Sequence, residues 1–437
     1  MFVTPPGGDT APKPRTVTAA TRAPGDPPHT KYTRKSAWIH WPRSCVTLAV
    51  DTVRPLALLL GTVALLACSS DVSGGADEGE PIDEGALASA PVDLADETDT
   101  ASSRAAAPLT GAADLLDVRG VGDSGWSVTH TSPALAAEMG AALDRFDAKG
   151  VSYRGDLSFM NFESVVGDTC TDWGKANEPG KSYAFISREA NLDQAMAHGF
   201  NLIGFSNNHT RDCNRTGEGV SGTDSTKAAM RERASDTQVM NGVMDDGQKR
   251  APSIGKLHLK GRDVKVAFSS IFVGRGSCPG SPCADDVESI MAAMQSAPVD
   301  LRILALHSVD AANQEELVRV GSRFVSKYGG DVVYGSGPHV WRPVRVVRKP
   351  NGKPGVVFES VGNFLHPGLA AQPKNYVGRA LLDPQSLELR QVQLVAVGNK
   401  GRDLEPSHED PGSVPANLAW KRSPDARFAV VYANVKP

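Results

Sequence analysis

"NLIGFSNNHTRDC", residues 201–213, begins as a short apolar run and then breaks into Asn207, Asn208 and His209, with Asp212 and Cys213 just beyond. A run of that length, bounded by turn residues, is a strand that a sheet can bury. Two amides and an imidazole are costly to bury without partners, so the strand must deliver them to something that supplies partners. The same pattern recurs along the chain. Asp123 follows LLDVRGVG, Asn161 and Glu163 follow LSFM, His307 ends LRILALH, and His339 follows DVVYGSGP. Open α/β sheets bind ligands just outside the carboxyl ends of their strands. Singly, each residue has an ordinary reading, a turn or cap for Asp and Asn and a hydrogen-bonded core position for His. Five strand ends in order, each carrying a donor, are hard to obtain from turn chemistry alone. Two carboxylates, an amide and three imidazoles form an oxygen and nitrogen set that suits a divalent metal. Manganese, iron or zinc is expected over calcium or magnesium alone, because imidazole favours the transition metals.

From residue 114 short apolar strands alternate with amphipathic helices. Strands are expected in LLDVRGVG, LSFMNFE, NLIGFS, VKVAFSSIFV, LRILALH, DVVYGSG and GVVFESVGNF. The clearest helix is AANQEELVRVGSRFVSKYGG, where Leu317, Gly321, Phe324, Val325 and Tyr328 share a face and Gly329 and Gly330 supply the stop. This alternation predicts an α/β fold with helices layered over sheet. The domain is expected to run over 114–397, ending in a hairpin around Asp383 and Pro384. Residues 398–437 read as a loop-like tail whose last strand, RFAVVYANV, closes the sheet edge.

The first quarter is different. A net charge of -4 and a pI near 6.2 leave no basic stripe for phosphates along a duplex, so nucleic acid is excluded as a partner. In 53–68, Arg54 precedes an uncharged run from Leu56 to Ala67, too short to span a bilayer and right for a signal-peptide core. It ends in LLAC, which resembles the bacterial lipobox; that resemblance implies that Cys68 becomes the lipidated first residue of an exported, membrane-anchored protein. The competing reading is a buried helix ending at an ordinary cysteine. Residues 1–52 precede the signal and read as disordered. An over-extended start is expected, with Val46 or Val53 nearer the true beginning. Residues 69–113 are small, acidic and nearly free of aromatics, so they cannot offset the entropy of ordering and read as a solvated tether.

With Cys45 upstream of cleavage and Cys68 lipidated, Cys170, Cys213, Cys278 and Cys283 remain, and exported proteins keep disulfides. Cys170 with Cys213 is the favoured pair, since each lies a few residues past a candidate site segment. Cys278 then pairs with Cys283 across CPGSPC. Zinc is the lesser alternative, because the spacing has no second matching pair.

The order VGDSG, NFE, GFNLIGFSNNHTRD, LALH, GSGPHVWRPV and ESVGNF resembles the bacterial poly-γ-glutamate capsule synthesis protein CapA family, whose domain is similar to the calcineurin-like metallophosphoesterases. The resemblance covers about 115 to 366, and NNHTRD is its most specific element. It implies a four-layered α/β/β/α sandwich with a metal pocket at one edge. Asp123, Glu163, Asn208, His307 and His339 match metal-ligand positions, and His209 matches the imidazole that faces the substrate as a general acid. Two departures stand out. The Trp-Gly pair expected after His307 is replaced by Ser308 and Val309, and Gly337 stands where the family has a further histidine. That loss points to one or two ions, with His366 or water as a substitute ligand. Asp212 reads as a local cap. Two functions remain in view: a metal-dependent hydrolase of the envelope acting on a phosphoester or an anionic polymer such as poly-γ-glutamate, and a non-catalytic binding or assembly module with a degenerate metal site.

Overall fold

A computed structural model of the chain describes residues 114–126, 138–172, 184–213, 220–366, 372–400, 403–406, 418, 420–423 and 428–435. Cys68, the signal segment and the acidic tether lie outside the described residues.

In chain order the elements are β1 (Leu116–Ser124), α1 (Met139–Asp147), β2 (Leu157–Phe162), β3 (Val165–Val166), β4 (Ile186–Ser187), α2 (Glu189–Ala197), β5 (Leu202–Gly204), α3 (Gly222–Arg233) and β6 (Val239–Asn241). Then come β7 (Ser253–Leu259), β8 (Arg262–Phe272), α4 (Val287–Ser296), β9 (Leu301–His307), α5 (Ala311–Tyr328), β10 (Val332–Ser336), β11 (Trp341–Arg348) and β12 (Pro354–Val361). The chain closes with β13 (Gln372–Leu382), β14 (Leu389–Lys400), β15 (Asp403–Pro406), β16 (Lys421–Ser423) and β17 (Val430–Asn434).

Two large sheets result. One runs β16-β17-β14-β13-β1-β2-β5-β6, with β15 paired to β14; the other runs β11-β12-β10-β9-β8-β7. Strands β1, β2, β5 and β6 are mutually parallel, as are β8, β9, β10 and β12. Their carboxyl ends therefore form a common edge in each sheet.

Strand alternation sends one set of apolar side chains between the sheets and the other set outward. Val118, Phe159 and Leu202 meet Phe268, Ile303, Tyr334 and Phe358 in the central layer. Outward residues Val121, Met160 and Ile203 pack on Leu143, Phe146, Leu192 and Met230 of α1, α2 and α3. On the far side, Leu304, Leu306 and Val333 pack on Ile290, Met291, Leu317 and Phe324 of α4 and α5. The layers are thus α/β/β/α. Helix α5 spans the expected residues, with Asp310 accepting from the Asn313 N–H at one end and Gly329 in the left-handed region at the other.

The tail departs from its expected role. Strand β17 is found as read, but it pairs with both β14 and β16, so β16 and not the last strand lies at the edge. Among the described residues no helix is long and apolar enough to cross a membrane.

Candidate metal centre

Strand β1 delivers Asp123 by a local irregularity. Its register with β2 shifts between Val121 and Asp123, the kind of break that re-aims a side chain at a strand end. Gly122 permits this, since a Cβ there would lie 1.7 Å from the Gly362 carbonyl oxygen. That close approach lets the chain leaving β12 run beside β1: Asp123 N–H donates to Gly362 O at 3.1 Å and Phe364 N–H donates to Asp123 O at 2.9 Å. The SVGNF segment thereby joins the second sheet to the first at the carboxyl edge, bringing Asn363 and His366 with it.

Asp123 is fully buried. Its Oδ1 accepts from Asn161 Nδ2 at 2.8 Å, and its Oδ2 accepts from the Gly337 N–H at 3.0 Å and lies 3.1 Å from His339 Nδ1. Burial alone would favour the neutral acid, but the His339 hydrogen bond and the imidazoles around it outweigh that and hold the carboxyl well below its ordinary value. His339, in the left-handed region at φ 57°, also places Nδ1 2.8 Å from Asn363 Oδ1. Burial opposes its charge, yet Glu163 and Asp123 push it up to about 9.

Glu163 is fully buried, and neither carboxylate oxygen receives a hydrogen bond. Its neighbours are imidazoles: His307 Nε2 at 3.6 Å and His209 Nε2 at 3.9 Å from Oε1, and His366 Nε2 at 3.4 Å from Oε2. Burial and the charge of Asp123 both oppose its ionisation; the imidazoles nonetheless hold it below its ordinary value.

His307 can be assigned a tautomer. Asn161 Nδ2 lies 3.2 Å from its Nδ1, and an amide NH₂ only donates, so Nδ1 accepts and Nε2 carries the proton toward Asn208 Oδ1 at 2.8 Å. Burial lowers its affinity for a second proton, only partly offset by Glu163 and Asp123. His209 is held differently. Its Nδ1 faces Asp212 Oδ2 at 2.5 Å, its ring stacks on Phe185 at 4.2 Å, and its N–H donates to Asn207 Oδ1 at 2.9 Å. Asp212, read as a cap, does hold the loop through the Phe185 N–H at 2.7 Å, and it also fixes the His209 ring.

The sequence-predicted residues Asp123, Glu163, Asn208, His209, His307 and His339 thus converge on one edge. Disulfides join Cys170 to Cys213 and Cys278 to Cys283. Two more residues belong to the site than the sequence-predicted set contains. His366, expected only as a substitute ligand, is fully buried with neither ring nitrogen hydrogen-bonded. Asn363 orients His339. Both lie on or just past the SVGNF segment, whose resemblance to the family is the signal that points to them.

Gly337 offers no side-chain ligand, as the sequence implies, and its backbone N–H instead donates to Asp123 Oδ2. Its φ is 110°, and a Cβ would lie 1.9 Å from the Ser308 carbonyl oxygen, so no histidine fits this backbone. The Ser308 main chain fills the space.

Asp123, Glu163 and His339 each offer a ligand atom within 4.8 Å of the others. Open lone pairs on Glu163 and His366, buried beside them, are what a divalent cation would complete, and the mixed oxygen and nitrogen set suits one. A layered α/β protein with a carboxylate and imidazole pocket at the parallel-strand ends is the class that fold and site define. The family model described as bacterial capsule synthesis protein PGA_cap matches residues 146–367, just over half of the chain, and the chain belongs to that family. Two solved structures are similar at a distance. A novel phosphatase from Mycoplasma pneumoniae shows 10% identity and a TM-score of 0.40, covering 65% of this chain and 94% of its own. A hypothetical protein from Thermus thermophilus shows 14% identity and a TM-score of 0.38, covering 65% of this chain and 99% of its own. No curated protein matches the chain.

Proposed function

We propose that the protein is an exported, lipid-anchored, metal-dependent hydrolase of the cell envelope that acts on a phosphoester or on a capsular anionic polymer such as poly-γ-glutamate. Glu163 carries this reading: a buried carboxylate with no hydrogen-bond donor, ringed by imidazoles at 3.4 to 3.9 Å, has a partner outside the protein chain. Asp123, Glu163 and His339 would hold the cation, with His366 within reach of the same carboxylate. Once bound, a divalent cation supplies Lewis-acid polarisation of an ester or amide oxygen. Gly337 leaves a second subsite one imidazole short, so one manganese, iron or zinc ion is the expected complement.

The chain's own acid and base is His209. Asp212 fixes Nδ1, which leaves Nε2 on the Glu163 side to pass a proton to the leaving oxygen. Phe185 covers one face of the ring. Neutral His307 anchors Asn208 at the pocket wall. Export is supported by the run ending at Cys68 and by two disulfides, which persist in oxidising compartments.

The full chain purified without chelator should carry about one equivalent of metal by elemental analysis. With manganese added it should hydrolyse bis(p-nitrophenyl) phosphate or release new ends from poly-γ-glutamate. Metal-free protein inactive on both substrates would favour the second reading, a non-catalytic binding or assembly module. Gly337 is the observation on that side.

A further inference from the structure

Of the pocket's imidazoles among the described residues, only His366 makes no hydrogen bond. His209 Nδ1 faces Asp212, His307 lies between Asn161 and Asn208, and His339 Nδ1 reaches Asn363. His366 is fully buried, and neither of its ring nitrogens has a hydrogen-bond partner. A buried imidazole keeps a donor or a lone pair that solvent can no longer satisfy. Its placement is nonetheless fixed. Just before it in the chain, Leu365 O accepts from the Gly125 N–H at 2.8 Å, Phe364 N–H donates to Asp123 O at 2.9 Å, and Phe364 O accepts from the Asn399 side chain. The Phe185 ring stands edge-on to the imidazole with centroids 5.2 Å apart, and the His339 ring lies 5.6 Å away.

His366 Nε2 lies 3.4 Å from Oε2 of Glu163, the carboxylate whose two oxygens also accept no hydrogen bond. Two readings of that distance compete. A direct ion pair would close to ~2.7 to 2.9 Å and would leave a buried N–H on the far side of the ring without an acceptor. Two ligands of one ion each sit ~2.0 to 2.2 Å from it, which at a tetrahedral angle sets them ~3.3 to 3.6 Å apart. The observed spacing falls in the second range. Position 337 supplies the reason for a ligand here. Ser308 O lies 1.9 Å from a built Cβ at Gly337, so β10 cannot offer an imidazole from that residue. The chain leaving β12 brings one instead.

We propose that His366, through Nε2, is a fourth protein ligand to the cation held by Asp123, Glu163 and His339, and that this second imidazole selects zinc or iron over manganese. Two carboxylates with one imidazole form a donor set open to manganese; a further nitrogen donor favours the metals that imidazole suits. The assignment rests on the metal-binding reading of the pocket and not on hydrolysis.

The test strips the full chain of metal, dialyses it, and measures zinc and manganese affinity by competition with a fluorescent chelator in the parent, His366→Phe and His366→Ala. Phenylalanine keeps a ring in the space and removes both nitrogens. Zinc affinity should fall about a hundredfold or more in both variants, at or above the upper end of what an outer partner costs. Manganese affinity should fall clearly less, so the preference for zinc shrinks. A second readout needs no variant and decides the matter if either variant fails to fold. In the cobalt-loaded parent, the exchangeable ring N–H signals shifted by the paramagnetic ion should come from both His339 and His366. Parent-like zinc affinity in His366→Phe, an equal loss for both metals, or a shifted N–H signal from a single imidazole overturns the proposal. Signals from both imidazoles, in a protein that hydrolyses nothing with zinc, iron or manganese, leave His366 as a ligand and remove the hydrolase reading. Metal-dependent hydrolysis with a signal from one imidazole does the reverse.

Discussion

Strand β1 carries two buried aspartates, Asp117 near its start and Asp123 at its end, and they are treated in opposite ways. Asp117 is closed. Arg379 Nη2 and Arg119 Nη2 each lie 2.7 Å from Oδ2, Arg379 Nε lies 2.8 Å from Oδ1, and Arg379 Nη1 goes on to Gln393 Oε1 at 2.6 Å. Arg119 Nη1 reaches the Val151 carbonyl. At the other end, Asp123 accepts hydrogen bonds without an arginine partner, and neither oxygen of its neighbour Glu163 accepts one. A buried charge is costly unless paired. A chain that pairs one carboxylate so fully, roughly twenty ångströms of strand at ~3.4 Å per residue from the cluster in which Glu163 is left open, has the means to close both. The closed end is framework, and the open end is where a ligand completes the bonding.

Breaking the closed end should give the largest effect. Asp117→Ala leaves two guanidiniums buried against each other, and removing one partner of a buried ion pair costs ~3 to 5 kcal/mol. Chemical denaturation should show that loss, while the metal content of the folded fraction stays unchanged. A loss under about 1 kcal/mol, the range of a solvent-exposed pair, would show that water reaches the network and that the comparison fails at its framework end.

Glu163→Gln is the converse. It removes a ligand together with a buried charge that no hydrogen bond satisfies, so metal affinity should fall by more than the ~10- to 100-fold that loss of an outer partner costs. Stability of the metal-free protein should fall, but by less than in Asp117→Ala, because only imidazole contacts at 3.4 Å and beyond are lost. Competition with a fluorescent chelator reads the first, and a thermal melt in EDTA reads the second. Strong destabilisation without metal would mean that Glu163 belongs to the framework.

Much of this is legible in the letters, and the exceptions have physical causes. The central strands β1, β2, β5, β8, β9, β10 and β12 and helix α5 carry apolar patterning strong enough to read. Strand β6 is three residues long, as β5 is, but only Val239 and Met240 mark it, without the flanking Phe200 and Phe205 that extend β5 into an apolar run. Strand β11 holds Pro343, which removes a ladder donor and is tolerated there because β11 is an edge strand. At the site, side-chain donors at strand ends are readable because nothing else in a core explains them. The Gly337 N–H is not, since every residue but proline has one and no letter marks where it points. Asp212 can be read by its turn position, and only coordinates show the same carboxylate reaching the His209 ring.

Gly337 tests the site on a smaller scale. At φ 110° and with Ser308 O 1.9 Å from a built Cβ, Gly337→Ala should destabilise by more than the ~1 kcal/mol of a simple glycine replacement. Gly337→His, which restores the family residue, should destabilise further and gain no metal. A histidine variant that folds well and takes up a second ion would show that the Ser308 segment can move aside, and elemental analysis of the purified variant decides it.

The smallest effect is the shape of a pH profile. In the chelated protein, His339 has its affinity for a proton pushed up to about 9 from the ordinary 6.5. A raised value means that folding is favoured by the bound proton. That contribution is therefore fully present below about pH 6.5 and is lost as pH rises through about 9. Asp123, depressed from 3.8, contributes in the opposite sense: its share is present above the ordinary carboxylate range and is lost as acid protonates it. Asp117 is depressed too, but its arginine partners keep their charge throughout the range from about pH 6 to about pH 10, so the closed end adds no slope there. Melting midpoints of metal-free protein should consequently fall by a few degrees, ~2 to 4 °C for a domain of this size per kcal/mol, across that interval. His339→Gln should flatten the alkaline limb and also shrink the acid limb, because the His339 hydrogen bond is the leading cause that depresses Asp123. An unchanged slope in that variant would locate the alkaline titration elsewhere and detach His339 from the Asp123 and Glu163 charges. Manganese added to the parent should also remove the limb, because a cation held by His339 replaces the proton whose loss produces it.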